Sequence, residues 1–122
     1  MTQDKERKIH DLKEKIREFC SVRDWDQFHN AKELAIALSV EASELLEVFM
    51  WKTPQEVQKL FENEKKKEDI QDEMADILFL LTRMAQIYDI DLSEALDKKI
   101  EKNDKKYPVD KVKGLSKKYN EY

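Results

Sequence analysis

Turn-forming residues are scarce in this chain, which has one glycine and two prolines among its 122 residues. Sheet-rich folds need such residues often, because tight turns depend on their special backbone conformations. The scarcity therefore favours long helices with few connections. Several segments carry apolar residues at steps of three and four, which is the period of an amphipathic helix. The sequence predicts an all-α fold, a bundle of about four main helices.

Three long helices are predicted in the first part of the chain, over about residues 3–20, 31–50 and 69–88. We expect the third to bury a face made of Ile70, Met74, Ile77, Leu78, Leu81 and Met84. A shorter helix is predicted to begin at Thr53, because threonine caps free N–H groups and Glu56 completes a capping box. A last helix is expected after a cap at Asp91 or Ser93.

The sequence predicts one domain spanning residues 1–122. Its tail, from about residue 109, has no clear period, and we expect it to be either mobile or docked on a neighbouring subunit. Long thin helices leave apolar surface that a single small bundle does not hide. We therefore expect a homo-oligomer.

Composition excludes several classes of partner. The formal net charge is −4, from 23 basic and 27 acidic residues that are intermixed, which is unlike the basic footprint of a nucleic-acid binder. No apolar run reaches the roughly 20 residues that span a bilayer. The N-terminus lacks the apolar segment of a signal peptide. Cys20 is the single cysteine, which rules out an internal disulfide and is compatible with a reducing cytosol. We expect a cytoplasmic protein with no nucleic-acid or membrane partner.

Two pairs of acidic residues lie on the two most apolar predicted helices. Glu41 and Glu44 are three residues apart, and Glu73 and Asp76 repeat that spacing, so each pair shares a helical face. One interpretation is that the pairs face solvent or basic side chains. The other is that the two helices pack together and four carboxylates converge, at a severe cost that a hard divalent cation removes. Magnesium prefers such oxygen ligands.

These acids carry a family resemblance. Glu41-x-x-Glu44 and Glu73-x-x-Asp76, with 28 residues between them, resemble the E-x-x-E…E-x-x-D signature of the MazG-like, all-α nucleoside triphosphate pyrophosphohydrolases. RDWDQFH at 23–29, FMWKT at 49–53, Lys99-x-x-x-Asn103-x-x-x-Tyr107 and the closing SKKYNEY resemble its dCTP pyrophosphatase branch. The resemblance implies that the four acids are catalytic and bind Mg²⁺, with Mn²⁺ as an alternative ion. It also implies release of pyrophosphate and a monophosphate, and assembly into dimers or tetramers.

Six further residues are candidates for substrate binding. Trp25 and Trp51 resemble the aromatic residues that enclose the base in this branch, and a flat indole suits stacking on a base. The alternative is that both are ordinary core or interface residues. His29 is either a ligand contact or a polar cap at a helix start. The last three candidates, spaced four apart on one predicted helical face and suited to contacts with phosphate, sugar or base, are Lys99, Asn103 and Tyr107.

Two positions depart from the branch. Ile16 stands where a histidine is expected near the base, and Phe79 stands where a tyrosine is expected, so each loses a hydrogen-bonding group. The function that the sequence predicts is a magnesium-dependent pyrophosphohydrolase acting on dCTP or a related or modified pyrimidine nucleotide, in nucleotide-pool sanitation. One alternative is a MazG-like hydrolase of dUTP or of nucleoside triphosphates in general. The other is a non-enzymatic helical oligomerisation module.

Overall fold

The computed structural model describes residues 2–116, and this range contains helices and no β-strand. A short 3-10 helix, Asp26–Phe28, lies among the α-helices of the range. These are α1 Thr2–Glu6, α2 Ile9–Ser21, α3 Ala31–Phe49, α4 Pro54–Glu62, α5 Glu64–Ile87, α6 Leu92–Lys106 and α7 Val109–Val112. The predicted all-α class is confirmed.

Side-chain caps fix where the helices begin. The Glu56 N–H donates to the Thr53 hydroxyl at 3.2 Å, and the Thr53 N–H donates to the Glu56 carboxylate at 3.4 Å. This is the capping box that the sequence predicted for α4. Asn30, Asn63 and Asp91 cap α3, α5 and α6 in the same sense, each accepting from an N–H three residues later. These caps satisfy backbone donors that a helix start leaves without partners.

Two predicted helix boundaries are wrong. The first helix is interrupted after α1, because Lys8 is extended (φ −95°, ψ 158°) and its N–H donates to the Asp11 carboxylate at 3.0 Å. This local bond starts α2 anew. The long helix α5 begins at Glu64 and not near Asp69, because Asn63 both ends α4 and caps α5. The charged segment that follows Asn63 therefore forms the first turns of a helix.

Helices α2, α3 and α4 all pack on helix α5, which is therefore central among them. The contact with α3 is the most extensive. On both partners of the α3–α5 contact, the less exposed residues recur at alternating steps of four and three, which is typical of paired helices. We call this contact the α3–α5 seam. We define it by the less exposed residues that show this spacing, which are Leu34, Leu38, Glu41, Leu45 and Val48 of α3 and Ile70, Glu73, Ile77, Leu80 and Met84 of α5. Two acidic residues thus occupy positions that are otherwise apolar.

The predicted buried face of α5 is partly wrong. Met74, Leu78 and Leu81 are 56%, 46% and 41% exposed, whereas Leu80 lies in the seam. Apolar residues cover a wide sector of this helix, and the neighbouring helices cover only part of that sector. The periodicity located the apolar sector but not which half of it receives α3.

The chain divides into two compact units, residues 1–89 and residues 90–122. The first unit contains α1 to α5, and within it the backbone N–H of Ala31 donates to the Tyr88 hydroxyl at 2.7 Å. The second unit contains α6 and α7, and α7 lies in the predicted tail, whose residues 117–122 are outside the described range. The assignment of one domain stays a prediction. Over residues 2–116, no helix is long and apolar enough to cross a membrane.

Candidate metal and substrate site

Three carboxylates meet at the α3–α5 seam. Glu41 of α3 and Glu73 and Asp76 of α5 each present an oxygen, and these oxygens lie within 4.8 Å of one another. Glu41 and Glu73 are half-buried because they occupy seam positions, whereas Asp76 is exposed at its edge. We call these three residues the carboxylate cluster.

The carboxylate cluster contains oxygen atoms without partners. The Oε2 atoms of Glu41 and Glu73 are buried and accept no hydrogen bond within the described part of the chain. Burial, followed by the neighbouring carboxyl groups of Glu73, Glu44 and Asp76, raises the pKa of Glu41 to about 7. Burial is also the main cause that raises the pKa of Glu73. Desolvation and like charge both penalise the ionised forms.

This donor set fits a hard divalent cation. It consists of carboxylate oxygens alone, and magnesium is commonly bound by one or two carboxylates together with substrate phosphates. Glu44 is exposed one turn from Glu41, close enough to affect the pKa of both Glu41 and Glu73. Three of the four predicted metal ligands therefore meet in one cluster, and the fourth borders it.

Trp25 lies in the connection between α2 and the 3-10 helix. Asp24 before it has a left-handed backbone (φ 56°), and this reversal lets the Trp25 N–H donate to the Cys20 carbonyl at 3.0 Å. The indole is 40% exposed and meets the Phe19 ring edge-on, with centroids 5.6 Å apart. Trp25 is thus a half-open aromatic surface.

His29 belongs to a buried polar network around Arg83. Arg83 is 2% exposed, and its Nε donates to His29 Nδ1 at 2.9 Å. Its Nη1 and Nη2 atoms donate to the side chains of Gln86 and Asp26, respectively. Because Nδ1 accepts a hydrogen bond, the ring is neutral with its proton on Nε2. Burial, and then the charge of Arg83, lowers the pKa of His29.

This network was not predicted from the sequence. Its signal was an arginine, Arg83, within the apolar run FLLTRMAQI, since a charged residue on a buried helix needs partners. Asp26 and His29 both come from the RDWDQFH segment, so that segment has a structural role in holding α5. The predicted contact of His29 with a ligand stays a prediction.

Trp51 stands out for its backbone and its exposure. It has a left-handed conformation (φ 63°), which is uncommon for a bulky residue, and its side chain is 94% exposed. It follows Met50, the C-cap residue of α3. Trp51 is therefore presented to solvent at the end of the helix that carries Glu41.

A cavity of about 300 Å³ lies in the first unit, lined by Lys15, Ile16, Phe19 and Phe79. The rings of Phe19 and Phe79 meet edge-on with centroids 5.8 Å apart. Its surface is apolar, so Lys15 contributes its aliphatic stem. We call it the aromatic cavity. The sequence had marked Ile16 and Phe79 only as departures from a family pattern.

The remaining candidates belong to the second unit. Lys99 and Asn103 lie on α6, one turn apart, and Tyr107 follows the last residue of that helix. The Tyr107 N–H donates to the Asn103 carbonyl at 2.8 Å, which continues the helical geometry. Lys99 is exposed, whereas Asn103 and Tyr107 are half-buried. Their roles toward a ligand stay predictions.

Comparison with known proteins identifies the family. A model of the MazG-like family matches residues 36–122, a range that includes the carboxylate cluster. The chain belongs to the MazG-like family. The family that the acidic motifs predicted is thereby confirmed. Of the predicted substrate-binding residues, Trp25 and His29 precede the matched range of this MazG-like chain.

Individual relatives are similar over most of the MazG-like chain. It is 34% identical over 113 residues to the dCTP pyrophosphatase 1 proteins of Rattus norvegicus and Homo sapiens. These alignments cover 93% of the chain and 66% of each relative, so the chain spans just under two thirds of their length. The crystal structure of a pyrophosphatase from Archaeoglobus fulgidus DSM 4304 matches with a TM-score of 0.76 and 36% identity. That match covers 81% of this chain and 91% of the archaeal one.

Proposed function

We propose that this MazG-like protein is a nucleoside triphosphate pyrophosphohydrolase. Its substrate would be dCTP or a related or modified pyrimidine nucleotide, which it cleaves to the monophosphate and pyrophosphate. The observation that carries the proposal is the carboxylate cluster, with two buried oxygens that accept no hydrogen bond. The names of the rat and human relatives support dCTP as the first substrate to test.

Glu41, Glu44, Glu73 and Asp76 are the residues that we propose to hold Mg²⁺, or Mn²⁺ in its place. When bound, such an ion neutralises the charge of a triphosphate and polarises its phosphorus–oxygen bonds. The protein supplies a rigid frame for this, because Glu41 and Glu73 sit between apolar residues of the α3–α5 seam.

In the proposed reaction a water oxygen forms a bond to phosphorus, and the bond from that phosphorus to the pyrophosphate oxygen breaks. A carboxylate of the site accepts the proton of the water. Glu44 is a suitable acceptor because it is exposed beside the cluster, while Glu41 and Glu73 each have a buried oxygen. The leaving pyrophosphate departs with its negative charge.

The other candidates would bind the rest of the nucleotide. Trp25 and Trp51 offer exposed indoles for stacking on the base. Lys99 would neutralise phosphate as a point charge, while Asn103 and Tyr107 would form hydrogen bonds to phosphate, sugar or base. His29 would reach a ligand through Nε2, because its Nδ1 is taken by Arg83.

We further propose that the protein acts as a homo-oligomer, a dimer or a tetramer, in the cytoplasm, where it removes unwanted nucleotides from the pool. Exposed large apolar residues support the assembly, since both central helices present them. They are Ile36, Val40 and Leu46 of α3 and Met74, Leu78 and Leu81 of α5. A monomer in light scattering at working concentration would contradict this part of the proposal.

The decisive experiment is a panel of nucleoside triphosphates incubated with purified protein and Mg²⁺, with pyrophosphate release as the readout. We expect turnover of pyrimidine deoxynucleotides and its loss in Glu41→Gln and Asp76→Asn, with helical circular dichroism retained. Glu68→Gln is the matched control, because Glu68 is an exposed acid of α5 outside the cluster. Turnover spread over all bases would favour the general hydrolase. No pyrophosphate from any nucleotide would favour the oligomerisation module and contradict the proposed function.

A further inference from the structure

The buried arginine of α5 has a role that extends beyond its own hydrogen bonds. We infer that Arg83 is a positioning residue for nucleotide binding, because it fixes the segment that carries Trp25 and thereby orients the indole. This role rests on the proposed function, in which Trp25 stacks on the base. It deepens that function by naming the residue that holds Trp25 in place.

The guanidinium of Arg83 acts from inside the protein. The residue is 2% exposed, and its Nε, Nη1 and Nη2 atoms all donate to side chains of the same chain. Arg83 therefore offers a nucleotide almost no surface to contact. Its effect on binding passes through the partners that it holds, which are Asp26 and His29.

The backbone of Trp25 lies between two attachments. Its N–H donates to the Cys20 carbonyl at 3.0 Å, which ties it to the end of α2. The residues that follow it form a short turn, in which the His29 N–H donates to the Asp26 carbonyl at 3.2 Å. Arg83 holds both ends of that turn through the side chains of Asp26 and His29. The backbone of Trp25 therefore has little freedom to rotate.

The indole itself is held by neighbouring rings. The His29 ring lies at 65° to the indole of Trp25 with centroids 6.3 Å apart, and the Phe19 ring meets it at 5.6 Å. Both are distances at which aromatic rings attract each other. Arg83 in turn fixes the His29 ring through Nδ1. Contact therefore runs from Arg83 through His29 to the ring that would stack on the base.

Helix α5 relates this indole to the phosphate end of the proposed site. Asp76 and Arg83 lie seven residues apart on it, which is about two turns and about 10.5 Å along the axis. One helix thus carries a member of the carboxylate cluster and the anchor of Trp25. A nucleotide would contact both, and a separation that is fixed beforehand avoids the cost of ordering the site on binding.

Fluorescence tests whether Arg83 fixes Trp25. The chain has two tryptophans, so Trp25 is the only one in a Trp51→Phe background. In that background Arg83→Lys should increase acrylamide quenching and shift the emission to longer wavelength, at a temperature where both proteins are folded, because the released indole gains contact with water. Unchanged quenching and emission would overturn the inference.

A matched pair of variants keeps the test valid if Arg83→Lys folds poorly. Asp26→Ala and Gln86→Ala each remove one hydrogen bond of Arg83, but Gln86 lies on α5 itself, whereas Asp26 belongs to the segment of Trp25. We expect Asp26→Ala to reproduce the fluorescence change and Gln86→Ala to leave the fluorescence as it is. Equal changes in both variants would reveal a general effect of weakening Arg83 and would overturn the inference.

Kinetics test the consequence for binding. Arg83→Lys should raise the KM of dCTP by about 5–100-fold, the range that follows from losing one aromatic contact with a base, while kcat is retained. The KM of base-free 2-deoxyribose 5-triphosphate should stay the same. In a Trp25→Ala background, Arg83→Lys should raise the KM of dCTP no further, because the two residues act as a unit. The same increase with and without Trp25 would overturn the inference.

Failure of the proposed function has a separate signature, which is absence of pyrophosphate from the wild-type protein with every triphosphate. The fluorescence comparison needs no turnover, and titration with dCMP, read as quenching of Trp25, then replaces the KM measurement. Weaker binding of dCMP to Arg83→Lys would support the inference, and equal binding would contradict it.

Discussion

Glu41 of α3 and Glu73 of α5 face each other between the two central helices, at positions where an apolar residue would pack better. Each has an Oε2 atom that is buried and accepts no hydrogen bond among the described residues, and the cluster they form with Asp76 spans 4.8 Å or less. The contact that builds the fold therefore also concentrates negative charge. Such a site costs stability until a cation or a proton compensates it.

The clustered negative charge should lower the stability of the metal-free protein. Glu41→Gln should therefore raise its melting temperature by a few degrees at pH 8 in EDTA, because it removes one of the like charges. Differential scanning calorimetry measures the shift. Glu68→Gln is the control and should leave the melting temperature unchanged. A lower melting temperature for Glu41→Gln would show that the cluster does not destabilise the protein.

Mg²⁺ should stabilise wild-type protein through linkage. An ion that binds only the folded state adds about 2.7 kcal/mol to the free energy of unfolding at a hundred times its dissociation constant. A thermal melt with and without MgCl₂ measures this, with NaCl at equal ionic strength as control. The shift should vanish in Asp76→Asn. Identical melting curves in both salts would contradict a metal site and favour a cluster that is merely solvated.

Arg83→Lys should lower the free energy of unfolding by about 2–3 kcal/mol, because lysine cannot replace three directed guanidinium hydrogen bonds. Chemical denaturation provides the measurement. Arg17→Lys is the matched control, since Arg17 is 51% exposed and forms an i,i+3 ion pair with Glu14. It should change stability by less than about 0.5 kcal/mol. An equal loss of unfolding free energy in the two variants would show that the hydrogen bonds of Arg83 do not stabilise the fold.

The contribution of His29 to the free energy of unfolding should fall under mildly acidic conditions. Its pKa in the folded protein is lowered from the ordinary value of 6.5. The unfolded chain therefore binds a proton that the folded chain refuses. The contribution is complete above pH 6.5 and is lost as the pH falls through the folded pKa. His29→Asn keeps an acceptor for Arg83 but does not titrate. The raised pKa values of Glu41 and Glu73 act on both proteins alike, so the unfolding free energy of His29→Asn minus that of wild type should increase from pH 7.5 to pH 5.5. The same pH dependence in both proteins would contradict this assignment.

Trp51→Asn should weaken nucleotide binding without lowering the melting temperature. Asparagine tolerates the left-handed backbone (φ 63°), and the indole is 94% exposed, so the melting temperature should stay equal or rise. If the indole stacks on the base, KM should rise by about 5–100-fold. Trp51→Phe keeps a flat ring and should recover most of the affinity. An unchanged KM in Trp51→Asn would show that Trp51 does not contact the nucleotide.

The helices, their caps and the acidic motifs were predictable because they depend on residues that are close together in the sequence. Helix periods, the capping box of Thr53 and Glu56, and the cap at Asp91 involve residues within a few positions of one another. The spacing of Glu41, Glu44, Glu73 and Asp76 predicted the family for the same reason. Spacing along a helix determines which side chains share a face, without knowledge of any partner.

Tertiary packing decided the rest. The apolar sector of α5 is wider than its contact with α3, so only the packed structure selects Leu80 and leaves Leu81 at the surface. Arg83 forms a hydrogen bond with His29 and an ion pair with Asp26, and both partners lie more than fifty positions away in the sequence. No local pattern predicts these pairs. The aromatic cavity likewise forms only where α2 meets α5. Periodicity shows which residues seek burial, whereas the side chains that meet depend on how whole helices dock.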